Sequence, residues 1–268
     1  MKSVILSRRL QAVAAMVTVG SRVCDVGCDH GFVPIYLIKQ GISPGVLAMD
    51  IKSGPLGAAK KHIAEHGLED VIETRLSDGL HNYNIGESDI LICAGMGGRL
   101  MRRILSDDQD KTRSFRELVL QPQSEVEQFR AWLREQGYRI TEEKMIEEDG
   151  KFYPMMRVVT CADTQCGQVY EYAAELRRSA EDNKCDFISE VKLCKLIDRY
   201  GPLLLQHKDK TLADCLRREE RIYGKILSTL QAGGLSDEKR KNRYAEVSEL
   251  LEDCRLASDI VFLKKQDE

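Results

Sequence analysis

Five short apolar runs, each ending in glycine, an acid or a proline and separated by helix-like stretches, dominate the first 160 residues. They are RVCDVGC (22–28), GVLAMD (45–50), VIETRLSDGL (71–80), SDILICAGMGG (88–98) and RELVLQPQ (116–123), the last cut off by Pro122. Between and after them lie GFVPIYLIKQG (31–41), SGPLGAAKKHIAEHGL (53–68), RLMRRIL (99–105) and SEVEQFRAWLREQGY (124–138), all with helical spacing of apolar residues. Ser53 is a cap candidate, Gly67 a stop, and Ser124 with Glu127 has capping-box spacing. RITEEKMIEEDGKFYPMMRVVT (139–160) reads as two strands joined at Asp149-Gly150, a hairpin signal. Strands alternating with helices pair in parallel, because a parallel connection must cross over. The expectation is an α/β fold with a mostly parallel seven-stranded sheet and a terminal antiparallel hairpin. In such sheets ligands bind beyond the carboxyl ends of the strands, and the polar and glycine residues of these runs stand there.

The loop after the first strand is Asp25-Val26-Gly27-Cys28-Asp29-His30-Gly31. Gly27 lets the backbone turn tightly and approach a ligand, and Gly31 lets the next helix start close to the strand. The loop is not G-x-G-x-x-G. Asp29 occupies a place where the phosphate-binding form commonly has glycine; its charge repels a pyrophosphate and suits a cationic amino group or a sulfonium. That disfavours a nicotinamide-dependent oxidoreductase. Asp50 follows Gly27 by 23 residues and ends the second strand, the placement of an acid that grips ribose hydroxyls. A nucleoside carrying ribose and positive charge is the implied ligand, and S-adenosylmethionine meets both conditions. Plainer readings stand beside these. Asp25 shapes its loop through backbone N–H groups, Asp50 caps the following helix, Asp78 is a turn residue, and Gly95 to Gly98 pack a helix start closely. Cys24 and Cys93 are buried strand residues, and His30 has no partner ligands to suggest a metal.

LSRRL (6–10), DVGCDHGFVP (25–34), GPL (54–56), SDGL (77–80), AGMGG (94–98), LQPQ (120–123) and EEDGKFY (147–153) together resemble the bacterial tRNA (adenine-22-N1)-methyltransferase family. That family lies within the class I S-adenosylmethionine-dependent methyltransferases. Two positions depart from the family pattern, Gly31 for alanine and Gln123 for asparagine. The resemblance implies a Rossmann-like domain that binds S-adenosylmethionine, with tRNA as partner. It implies cofactor contacts from Asp25, Gly27, Asp29, His30, Gly31, Asp50, Ile51, Asp78, Gly79, Leu80, Ala94, Gly95 and Met96. Asp78 would meet the adenine amino group, and Met96 would wall the methionine part. Substrate contacts fall to Arg9, Phe32, Arg99, Gln121, Pro122 and Gln123.

Asp29 is the candidate for chemistry. Adenine N1 carries a lone pair at neutral pH, so no strong base is required. A carboxylate accepting from N6 orients N1 and stabilises the cation that methylation creates. The alternative for Asp29 is a contact to the cofactor's amino group alone. Adenine N1 lies on the Watson–Crick edge, so the base must leave its stack. Arg8, Arg9, Arg99, Arg102 and Arg103 read either as a phosphate-binding rim or as a solvated face.

After residue 160 glycine and strand signals thin out. TLADCLRREERIYGKILSTLQ (211–231) carries an apolar stripe through Leu212, Leu216, Ile222, Ile226 and Leu230, and a second helix repeats it through Tyr244, Val247, Leu251 and Leu256. Gly233-Gly234 folds the two into an antiparallel pair. VYEYAAELRRSAEDN and FISEVKLCKLIDRYGPLLL read as further helices. The expected organisation is a catalytic domain over 1–160 and a helical, coiled-coil-like domain over 161–268. Arg217, Arg218, Arg221 and the run from Lys239 to Arg243 offer phosphate contacts or solvated faces. A net charge of −3 argues against general affinity for polyanions, though not against local patches. Nine cysteines without a C-x-x-C pair argue against a disulfide framework or a zinc site and suit a reducing cytoplasm. Arg8 and Arg9 interrupt the first apolar run, so the N-terminus reads as an amphipathic helix rather than a signal peptide. No stretch is long and apolar enough to span a bilayer. The expected state is a cytoplasmic monomer without a metal. The competing functions are a small-molecule or other-nucleoside methyltransferase with the same cofactor and, more remotely, a non-enzymatic recognition protein.

Overall fold

The computed structural model describes residues 4–160, 189–234 and 237–262. The chain divides into two compact units, one ending at residue 166 and the other beginning at 167. In the first unit, α1 (Arg8–Ala14) precedes β1 (Val23–Val26), α2 (Phe32–Lys39), β2 (Val46–Asp50), α3 (Ser53–Glu65) and β3 (Ile72–Leu76). Then come β4 (Ile90–Met96), α4 (Gly98–Asp107), α5 (Gln109–Ser114), β5 (Glu117–Pro122), α6 (Val126–Glu135), β6 (Tyr138–Glu148) and β7 (Lys151–Thr160). The sheet has seven strands in the order β3-β2-β1-β4-β5-β7-β6. The first five are parallel, and β7 runs antiparallel to both β5 and β6. Strand order reverses at β1, so right-handed crossovers put helices on both faces. The interior strands β1 and β2 are buried along their full length, as a parallel sheet covered on both sides requires.

Alternation along the strands feeds one core. Val23, Val46, Ala48, Ile90, Ile92 and Val119 pack with Val13 of α1, Ile35 and Leu37 of α2, and Ala59 and Ile63 of α3. At the sheet's far edge the hairpin turns on Asp149 and Gly150, both with positive φ (51° and 69°), the twist that a two-residue hairpin loop needs. Arg130 of α6 donates to Glu143 of β6 at 2.9 Å, both side chains almost wholly inaccessible, joining helix and hairpin.

Local expectations fail where tertiary contacts claim a residue. The Ser124–Glu127 capping box does not form: α6 is entered through Glu125, at φ 53° and without a side-chain cap. Ser124 instead turns its carbonyl to the N–H of Gly98 (2.9 Å), and the Glu125 carboxylate takes the N–H and guanidinium of Arg99. Ser53 is the first residue of α3, not its cap; Lys52 precedes it, and its N–H donates to Asp50 Oδ1 at 2.8 Å. The short α5 had no helical signal of its own.

In the second unit, helices span Glu190–Tyr200, Pro202–Gln206, Lys210–Ala232 and Glu238–Phe262. The two long ones are antiparallel, since Leu216 pairs with Cys254, Glu220 with Arg255 and Gln231 with Tyr244. Leu212, Leu216, Val247 and Leu251 are buried along the expected stripe, whereas Ile222 is exposed. Asp253, fully buried, lies between Lys192 (2.5 Å), Lys195 (3.1 Å) and Arg199 (3.7 Å). The helix expected over VYEYAAELRRSAEDN, and Phe187 and Ile188 of the next, lie outside the described residues.

Candidate functional site

β1 hands over to α2 through three residues in the left-handed region: Gly27 (φ 77°), Asp29 (φ 50°) and Gly31 (φ 74°). The N–H groups of Gly27 and Cys28 both donate to the Met49 carbonyl (2.8 and 3.0 Å), which holds the loop against the end of β2. The positive φ of residue 27 favours glycine, and a Cβ there would meet the terminal methyl of Met96, whose flexible side chain would have to swing aside. Asp50 laces two loops together: Oδ2 accepts the N–H of Asp29 (3.2 Å) while Oδ1 accepts that of Lys52. Asp50 is therefore not the N-cap of α3, which is Lys52; its carboxylate bonds the backbone just before that helix and the loop after β1 instead.

Asp25 differs. The residue is 5% exposed, and its side chain lines the cleft and makes no hydrogen bond among the described residues. Burial, and secondarily the charge of Asp50, raises its carboxyl from 3.8 to about 7. A buried acid without a partner among the described residues, facing an open cleft, suits a cationic ligand group. Burial likewise pushes the Cys93 thiol up to about 12 and raises the Cys24 and Cys28 thiols well above the ordinary thiol value, so these are packing residues.

At the end of β3, Asp78 pairs with Arg103 Nη2 at 2.8 Å. At the end of β4 the register to β5 shifts between Ala94 and Met96, with Gly95 at φ 82°. From α1, Arg9 Nη1 donates to Gln121 Oε1 at 2.6 Å, and its guanidinium sits 5.5 Å from the Tyr153 ring centroid. On the α2–α3 side Phe32 stacks on His62 at 4.8 Å, and His30 Nε2 is 3.6 Å from Asp29 Oδ1.

These groups surround one cleft of about 520 Å³ at the carboxyl edge of the parallel strands. Its walls include Asp25, Gly27, Asp29, His30, Asp50, Ile51, Asp78, Gly79, Ala94, Gly95 and Met96, with Arg9, Phe32 and Gln123. Five expected residues do not reach it. Gly31 abuts Ala59, Leu80 is fully buried, and Arg99 turns to Glu125. Gln121 is buried, accepting from Arg9 and donating to the Pro122 carbonyl, and Pro122 is buried beside it. Leu10, Lys52, Pro55, Ser77, Leu100 and Ile104 also line the cleft and were not foreseen. Leu100, Arg103 and Ile104 share the i, i+3, i+4 face of α4, a signal present in the sequence.

The sequence family described as "Methyltransferase domain" matches residues 6–156. A tRNA (adenine(22)-N(1))-methyltransferase of Bacillus subtilis is 37% identical over 151 residues, 56% of this chain and 63% of that relative, so the match spans under two thirds of its length. The crystal structure of the B. subtilis M1A22 tRNA methyltransferase TrmK superposes with a TM-score of 0.76 at 28% identity, covering 96% of this chain and 100% of that one. A Streptococcus pneumoniae putative tRNA (m1A22) methyltransferase, in complex with S-adenosyl-L-methionine, superposes with a TM-score of 0.72 at 25% identity, covering 95% and 100%.

Proposed function

This chain belongs to the methyltransferase-domain family, and from that premise we propose that it transfers a methyl group from S-adenosylmethionine to N1 of adenine 22 in tRNA. The reading takes it as a cytoplasmic enzyme acting as a monomer. One observation carries it: five acids and glycines from four strand ends, Asp25, Gly27, Asp50, Asp78 and Gly95, line a single cleft. The relatives described above bear names for this reaction, and one of them is in complex with the methyl donor.

The residues fit the donor. Asp25, buried and without a hydrogen bond among the described residues, suits a cationic group; in this reading Asp50 would take the ribose hydroxyls, and Asp78 and the exposed Ile51 would flank the cofactor's adenine. When bound, S-adenosylmethionine supplies an electrophilic methyl on a sulfonium. The transfer forms an N1–C bond and breaks an S–C bond, moving positive charge from sulfur to the base. The protein therefore needs no strong base. Its task is to align N1 with the methyl carbon and to place negative charge near the base, where the Asp29 carboxylate is 69% exposed.

Incubating the protein with labelled S-adenosylmethionine and unmodified tRNA, then mapping the labelled nucleotide, tests the reading. Label on N1 of adenine 22 is the expected result. Label elsewhere keeps the cofactor and overturns the substrate, and label on a small molecule in preference to tRNA favours the alternative activity.

A further inference from the structure

At the Gly95 end of the cleft, the polar groups differ in how far they are already committed. The Arg9 guanidinium is bonded to Gln121. Gln123 has its backbone N–H fixed to the Met96 carbonyl at 2.8 Å, which anchors it to the end of β4. Its exposed side chain lines the cleft and makes no hydrogen bond among the described residues. A Cβ on Gly95 would stand 3.7 Å from Gln123 Nε2, so the carboxamide lies directly over that glycine. It offers an acceptor and a donor side by side.

Adenine methylated at N1 must point its Watson–Crick edge at the methyl carbon. What remains for recognition is the other edge, where N6–H donates and N7 accepts, the pair that a carboxamide matches with two bonds. We propose that Gln123 selects adenine by accepting from N6–H and donating to N7 while N1 faces the methyl donor; this rests on the adenine-N1 reading above. Guanine presents two acceptors, O6 and N7, on the same edge, so Gln123 Oε1 would face an oxygen. Methylation spreads positive charge over N1, C6 and N6. The N6–H bond to Gln123 Oε1 therefore strengthens as the transition state forms. Gln123 acts on turnover as well as on base choice.

The test uses tRNA transcripts carrying adenosine or 7-deazaadenosine at position 22, which removes only the N7 acceptor. Wild-type kcat/KM falls about 10-fold on the 7-deaza transcript, the size of one lost base-edge bond. Gln123→Ala falls about 10- to 100-fold on adenosine and no further on 7-deazaadenosine. Gln123→Glu, which keeps the acceptor and loses the donor, is likewise indifferent to the deaza substitution. S-adenosylmethionine affinity of both variants, measured by calorimetry, stays at the wild-type value. A wild-type enzyme indifferent to N7, or a Gln123→Ala variant that loses a further 10-fold on 7-deazaadenosine, overturns the assignment. Absence of N1 methylation by the wild type on any transcript overturns the underlying reading instead.

Discussion

Asp25 and Asp29 are four residues apart and do opposite things. Asp25 is buried and held at about 7, chiefly by desolvation. Its native value lies above the unfolded one, so the stability it contributes is full below about pH 4 and lost as pH rises through about 7. Asp25→Asn removes that loss: at pH 8 the ligand-free variant should melt several degrees higher than wild type. The same variant should bind S-adenosylmethionine at least about 10-fold more weakly, because the ionised carboxyl is what answers a cation. Wild-type affinity should likewise fall as pH drops below about 7. Calorimetric melting and binding titrations across pH check both; an affinity flat from pH 6 to 8 contradicts the role of Asp25. Asp29, exposed beside His30, has no such burial. Asp29→Asn should lower kcat about 100-fold while cofactor affinity changes only a few-fold; single-turnover kinetics with a binding titration separate the two, and near-wild-type turnover removes its catalytic assignment.

At the level of elements, the first strand–helix turn and the end of β4 are one structure. Gly27 and Met96 occupy mutually exclusive volume once a side chain is added at residue 27. Gly27→Ala adds a Cβ at positive φ, at a cost of roughly 1–2 kcal/mol, and also displaces Met96 from the cleft. The variant should melt lower and lose cofactor affinity together, whereas Gly57→Ala, inside α3 with open space around it, should melt no lower and keep its cofactor affinity. Differential scanning fluorimetry with and without S-adenosylmethionine reads both. The same logic explains why the capping box at Ser124 failed. A cap is a local preference of about 1 kcal/mol, and here Gly98 and Arg99 claim the carbonyl and carboxylate next to it. The hairpin, by contrast, formed where Asp149-Gly150 marked it, because that turn needs only its own dihedrals.

Over the whole molecule, net charge is −3, so any RNA affinity must come from local basic groups. If tRNA is the partner, log K should fall linearly with log salt, with a slope of about −0.7 to −0.9 per phosphate neutralised. A slope near zero in filter binding would remove tRNA as the partner. The second unit is held by its own buried ion cluster. Asp253→Ala takes the shared counter-ion from Lys192, Lys195 and Arg199, costing on the order of 3 kcal/mol. The helical signal in circular dichroism should melt earlier; an unchanged melting curve would show that the cluster contributes little.

By itself the sequence determined the alternation of strands and helices, the sites where each strand stops, the hairpin and the helical character of the C-terminal half. These follow from side-chain periodicity and from glycine and proline, which act within a few residues. It also marked Asp25, Gly27, Asp50, Asp78 and Gly95 as strand-end residues, since a parallel sheet gathers strand ends along one edge. Only the tertiary structure decided which of the marked residues face the cleft. Arg99 went to Glu125 and Gln121 to Arg9, while Leu10 and Ile104 came in unannounced. Those outcomes depend on partners 26 to 112 residues away in the chain, and on burial, which raises an acid such as Asp25 only once the sheet has closed around it.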